Sequence, residues 1–185
     1  MTISPQRFIL SSFIILLIGA AWVWTSREPT NFSTSSQIPA PQKGFLAPDF
    51  SLPARGGGTN SLVELRGQPV VLNFWASWCP PCQAEMPAMQ RIYMEYQDQD
   101  LVIVGINATN QDNMAKAMNF SDSLKLTFPI VFDTGGRASH DYRVLSLPTT
   151  FFIDRQGIIQ EIIIGGPISE ALFRIRIEQL LREKP

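Results

Sequence analysis

Apolar residues along this chain alternate between short solid runs and longer amphipathic stretches. Pro69 to Trp75 (Pro-Val-Val-Leu-Asn-Phe-Trp) is nearly continuous in apolar character, the pattern of a strand covered on both faces. Leu101 to Ile106 and Phe128 to Phe132 read the same way, and Leu147 to Asp154 is a strand entered through a proline. Arg155-Gln156-Gly157 turns the chain into Ile158 to Ile164, which predicts an antiparallel hairpin. The stretches between the runs read as helices. One starts at Pro80, acceptable in a first turn, carries Pro87 as an expected kink and continues through Tyr96. Gln111 to Leu124 predicts a second helix and Ala138 to Val144 a short third. A last one runs to Lys184 behind the capping residue Ser169, with Leu172, Phe173, Ile175, Leu180 and Leu181 at roughly helical spacing. Upstream, Ala47 to Leu52 alternates like an edge strand, and Arg55 to Asn60 is a glycine-rich turn. No Gly-Lys-Ser/Thr follows that turn, so it is not a phosphate-binding loop. This order predicts an α/β domain whose central mixed sheet carries helices on both faces.

The N-terminus has a different pattern. Phe8 to Trp24 holds no charged residue and as a helix would span about 25 Å, close to a bilayer's hydrocarbon thickness. Trp22 and Trp24 near its end suit a membrane interface, and Arg7 ahead of it sets the orientation. The expected organisation is a cytoplasmic N-terminus over 1–7, one transmembrane signal-anchor over 8–24, a flexible linker over 25–43 and the folded domain over 44–185 outside the cytoplasm. The linker reading rests on its Ser, Thr, Pro, Asn and Gln content. A cleaved signal peptide ending near Gly19-Ala20-Ala21 is the alternative.

Charge and cysteine content narrow the chemistry. With 15 basic against 16 acidic residues, no global field gathers nucleic acid. Two cysteines cannot form a disulfide scaffold, and with the single histidine, His140, they fall short of a structural zinc site. Gln83 follows Cys82 where a c-type haem attachment would need histidine. Redox use remains. The pair Cys79-Pro80-Pro81-Cys82 lies where a buried strand gives way to a helix, and a thiol at a helix N-terminus is easier to ionise.

Trp78-Cys79-Pro80-Pro81-Cys82, Pro87 and Leu147-Pro148-Thr149-Thr150-Phe151 resemble the landmarks of the thioredoxin fold. More narrowly, Ala47-Pro48-Asp49-Phe50, Asn73 through Cys82 and Glu85-Met86-Pro87 resemble the membrane-anchored extracytoplasmic thiol-disulfide oxidoreductases of the TlpA/ResA type, within the redoxin superfamily. The similarity covers about residues 44 to 183. It implies that Cys79 is an exposed nucleophile, that Cys82 resolves the mixed disulfide, and that their redox-active disulfide is the only cofactor, with no metal. It implies that Glu85 exchanges protons with the pair and tunes it, since Asn73 stands where ordinary thioredoxins carry a titrating aspartate. Pro148 becomes a cis-proline opposite Cys79, with the Leu147 backbone free to pair with substrate. Trp78, Pro80 and Pro81 complete the expected substrate surface, while Trp75 reads as core and His140 as structural or exposed. Pro80 and Pro81 also remove two N–H donors from the neighbourhood of the Cys79 sulfur, which points to a reductant.

The partners implied are a membrane thiol-electron donor and a protein disulfide. The substrate is either apocytochrome c before haem attachment or other secreted proteins. A peroxidase of the same fold would need proline and threonine where this chain has Leu72 and Ala76. A non-catalytic binding module would be expected to lose a cysteine or the cis-proline, and this chain keeps Cys79, Cys82 and Pro148.

Overall fold

A computed structural model describes residues 38–182, together with 17–19 and 22, which are helical. The expected membrane-spanning segment over 8–24 otherwise lies outside the described residues. No helix among those described is long and apolar enough to cross a membrane.

The domain is built on a five-stranded mixed sheet. Its central strand is β3 (Val70–Trp75), with every residue buried. β4 (Val102–Asn107) pairs parallel to β3, and β5 (Ile130–Phe132) pairs parallel to β4. β6 (Thr149–Ile153) lies antiparallel on the other side of β3, and β7 (Ile159–Ile164) closes that edge as the second arm of the hairpin. A separate two-stranded sheet joins β1 (Ser51–Pro53) to β2 (Thr59–Ser61). The edge strand therefore falls later than the Ala47 to Leu52 alternation suggested, and Thr59 and Asn60 belong to its partner, not to a turn. Contacts to other segments hold the Ala-Pro-Asp-Phe stretch instead, among them the Tyr142 hydroxyl donating to Pro48 O at 2.6 Å and Val63 N donating to Asp49 Oδ1 at 2.8 Å.

Side-chain alternation along β3 divides the core in two. Val71 and Trp75 face α1 (Pro80–Tyr96), α2 (Met114–Ser123) and α4 (Glu170–Arg182), where Met86, Met89, Ala117, Phe173 and Ile177 are buried. Val70, Leu72 and Phe74 face the opposite layer, with Tyr142 just after α3 (Arg137–Asp141) and with Phe50 and Leu62. Helices thus cover both faces, as the order of runs predicts. Trp75 can enter its layer because Gly105 lies beside it: a Cβ there would stand 2.8 Å from Ile130 Cδ1 and 3.1 Å from the indole nitrogen.

Two helices are shorter than their sequence pattern. α2 begins at Met114, not Gln111, because Asn113 is its cap, accepting from Lys116 N at 3.1 Å, and Asp112 is engaged elsewhere. α3 ends at Asp141 and not Val144, since Arg143 adopts a positive φ of 49° that cannot continue a helix.

Candidate active site

β3 delivers the chain through Ala76-Ser77-Trp78 to Cys79, the N-cap of α1, whose extended backbone (φ −86°, ψ 108°) points its side chain back over the first turn. Pro80 and Pro81 have no N–H, so Cys82 provides the first amide of the helix able to donate, and it reaches Cys79 Sγ at 3.3 Å. Cys79 and Cys82 are joined by a disulfide with their Cα atoms 5.3 Å apart. In this oxidised state Cys79 is only 2% exposed and Cys82 is fully buried, which corrects the expectation of an exposed sulfur. Surface at this point comes from its neighbours, Pro80 and the 55% exposed Trp78.

Glu85, one turn further along α1, is only 1% exposed. Its Oε1 accepts from Asn73 Nδ2 at 2.8 Å and its Oε2 from Ile168 N at 3.0 Å. Burial raises its pKa above the ordinary glutamate value, and these two hydrogen bonds offset the rise only in part. The strand register explains Asn73's place: it sits opposite Thr150 on β6, and its amide donates to Thr150 Oγ1 at 2.9 Å as well. Asn73 Oδ1 is buried with no donor.

The Leu147–Pro148 peptide is cis. Thr149 Oγ1 donates to Ser146 O at 2.8 Å and Gly165 N donates to Pro148 O at 2.8 Å, so the loop is fastened at both ends. Gly166 then packs against both Pro148 and Glu85. A Cβ at Gly166 would lie 2.7 Å from Pro148 Cγ and 2.8 Å from Glu85 Oε2. The fold therefore brings Glu85, Pro148 and the segment leading to Ile168 into one cluster, with Asn73 and Thr150 behind it. Leu145, just before the cis-proline loop, is 96% exposed, whereas Leu147 is half-buried. His140 is largely exposed, with Nδ1 3.2 Å from Asp141 Oδ1.

Sequence reasoning missed the contributions of Gly166, Ile168, Thr150 and Asp112. The one local signal was Gly165-Gly166-Pro167 between the last strand and the last helix, a place where backbone approaches closely.

A family model described as the AhpC/TSA family matches residues 44–162. The chain belongs to that family. Within it, the thiol-disulfide oxidoreductase ResA of Geobacillus thermodenitrificans is 40% identical over 166 residues, covering 89% of this chain and 91% of the relative. The thioredoxin-like protein YneN of Bacillus subtilis is 46% identical over 125 residues, 67% of this chain and 72% of its own length. Among solved structures, a thiol:disulfide interchange protein of the thioredoxin family from Chlorobium tepidum superposes with a TM-score of 0.67 at 28% identity, covering 76% of this chain and 98% of the other. This member of the AhpC/TSA family is a thiol-disulfide oxidoreductase, with its Cys79–Cys82 disulfide at the start of α1. The positions a peroxidase would furnish with proline and threonine, Leu72 and Ala76, are buried and apolar here.

Proposed function

We propose that this protein is an extracytoplasmic reductant of protein disulfides, held to the membrane by residues 8–24 and supplied with electrons by a membrane thiol donor. In the reduced enzyme the Cys79 thiolate attacks a substrate disulfide, forming a mixed disulfide and releasing one substrate thiolate. Cys82, deprotonated as Glu85 takes up its proton, then attacks Cys79 Sγ and releases the second thiolate. Two electrons pass to the substrate and the Cys79–Cys82 disulfide results. Trp78, Pro80, Pro81 and Leu147 form the surface that receives the substrate backbone, with the buried cis-proline Pro148 shaping it from beneath, and apocytochrome c is the substrate class carried by the resemblance to the ResA type.

The observation that carries the direction of transfer is the single amide on the Cys79 sulfur. Pro80 and Pro81 leave only the Cys82 N–H, at 3.3 Å, so the thiolate gains less from the helix terminus than it would from three donors. A less stabilised thiolate makes a stronger reductant. Cys82→Ser should accumulate mixed disulfides through Cys79, and mass spectrometry of the trapped adducts identifies the partner. Recovery of apocytochrome c supports the narrower reading, while recovery of diverse secreted proteins replaces it with a general reductase. A reduction potential as high as that of a strong disulfide oxidant would overturn the direction.

A further inference from the structure

The rim of the site carries a carboxylate that dithiol exchange does not use. Asp112, in the loop between β4 and α2, accepts four hydrogen bonds. Its Oδ2 takes Ser77 N at 2.6 Å and Asn107 Nδ2 at 2.8 Å, and its Oδ1 takes the Ser77 hydroxyl at 2.7 Å and Asn113 N at 2.7 Å. The adjacent residue of the same loop, Gln111, accepts the Trp78 indole N–H on its carbonyl at 2.9 Å. Both residues that precede the nucleophile are therefore tied to one short stretch, Gln111-Asp112. A third tie comes from α1, where Gln83 Nε2 donates to Ser77 O at 2.6 Å.

Trp78 would otherwise be free to turn. It is 55% exposed, and a large apolar ring in water gains by folding down onto the nearest apolar surface. Its single polar atom is claimed by Gln111, and the backbone that carries it is claimed by Asp112. Hydrogen bonds to a carboxylate are stronger than those between neutral groups, and four on one side chain hold that chain in one rotamer. An aromatic surface fixed before binding spares the substrate the entropy of ordering it.

We propose that Asp112 is a positioning residue that sets how tightly the enzyme takes its protein substrate: it presents Trp78 as a fixed docking surface beside Cys79. It acts through Ser77 and Trp78. The inference rests on Trp78 contacting substrate, as in the function proposed above.

The test is steady-state reduction of a protein disulfide, insulin, by Asp112→Ala, Trp78→Ala and the double variant. Asp112→Ala should raise KM about tenfold, the loss expected when one anchoring side chain must be ordered on binding, with kcat changed less than about twofold. In the Trp78→Ala background the same substitution should add less than about twofold, because both changes remove the same contact. Asp112→Asn retains the shape but puts an N–H₂ group where one carboxylate oxygen accepted, so its KM should lie between those of wild type and Asp112→Ala. Hydrogen exchange of the Trp78 indole N–H should speed up in Asp112→Ala, which a general loss of stability would not confine to that proton. Multiplicative effects of the two substitutions, or a fall in kcat at constant KM, would overturn the proposal while leaving Trp78 as a contact. A Trp78→Ala variant with wild-type KM would instead remove the contact itself, and the proposal with it.

Discussion

Glu85 and Asp112 are two carboxylates set in different surroundings, one a turn beyond Cys82 on α1 and one hydrogen-bonded to Ser77 ahead of Cys79. Glu85 is 1% exposed and receives two hydrogen bonds, whereas Asp112 is half-buried and receives four. Burial raises the pKa of both, but at Asp112 the hydrogen bonds from Ser77, Asn107 and Asn113 outweigh it and hold the carboxyl below the usual aspartate value. At Glu85 burial prevails and the value ends above the usual one. The difference teaches that donor count against desolvation, more than residue type, decides what a carboxyl does here. A group biased toward its neutral form can carry a proton in and out of the site; a group biased toward its charge can serve as a permanent fastening.

The two therefore bear on stability in opposite directions of pH. The native state keeps a proton on Glu85 that the unfolded chain releases near 4.5, so stability falls as pH rises from there through the folded value. Asp112 contributes stability above its ordinary 3.8, and that contribution disappears as pH falls through its lower folded value.

The largest effect should come from Glu85→Gln. Loss of the proton carrier should slow disulfide reduction about a hundredfold near neutral pH and flatten the pH profile of the cysteine pair. Asn73 can accommodate the new amide by turning its unpartnered Oδ1 toward it. Urea unfolding of this variant should show it gaining on wild type as pH rises above 4.5, and parallel stability curves would break the assignment of Glu85 as a carboxyl whose pKa is raised by burial.

Gly166→Ala comes next, since its Cβ would press on the Pro148 ring and on Glu85 Oε2. A loss of about 1–3 kcal/mol is expected from overpacking, together with slower turnover. Wild-type stability would mean that this segment yields freely, and that Glu85's surroundings are no more rigid than the rim. The smallest effect belongs to Ser77→Ala, which removes one of Asp112's four donors at a half-buried site. About 0.5 kcal/mol should be lost, measured by the same unfolding experiment. A larger loss than for Gly166→Ala would invert the contrast between the two regions.

Much of this site could be read from the chain. The solid apolar run into Trp75, the break at Ala76-Ser77-Trp78 and the prolines after Cys79 gave a strand, a loop and a helix start in order, because each is dictated by residues within a few positions of it. Hydrogen bonds across distance were not legible. Asn73 was recognisable as a residue that cannot titrate, but its role as donor to Glu85 depends on a register that sets it opposite Thr150, 77 residues away. Asp112 looked like an ordinary residue of a polar helix. It left the helix because Ser77, 35 residues earlier, offered it two donors.

The sequence by itself determined the α/β class, the placement of the cysteine pair at a helix N-terminus and the dithiol chemistry, all consequences of local patterning and side-chain reactivity. Only the tertiary structure decided that Cys79 is covered in the disulfide state, that Glu85 is buried against Gly166 and held by Asn73 and Ile168, and that Asp112 fastens the loop bearing Trp78. Exposure, desolvation and hydrogen-bond partnership are properties of what surrounds a residue, and those surroundings come from segments far apart in the chain.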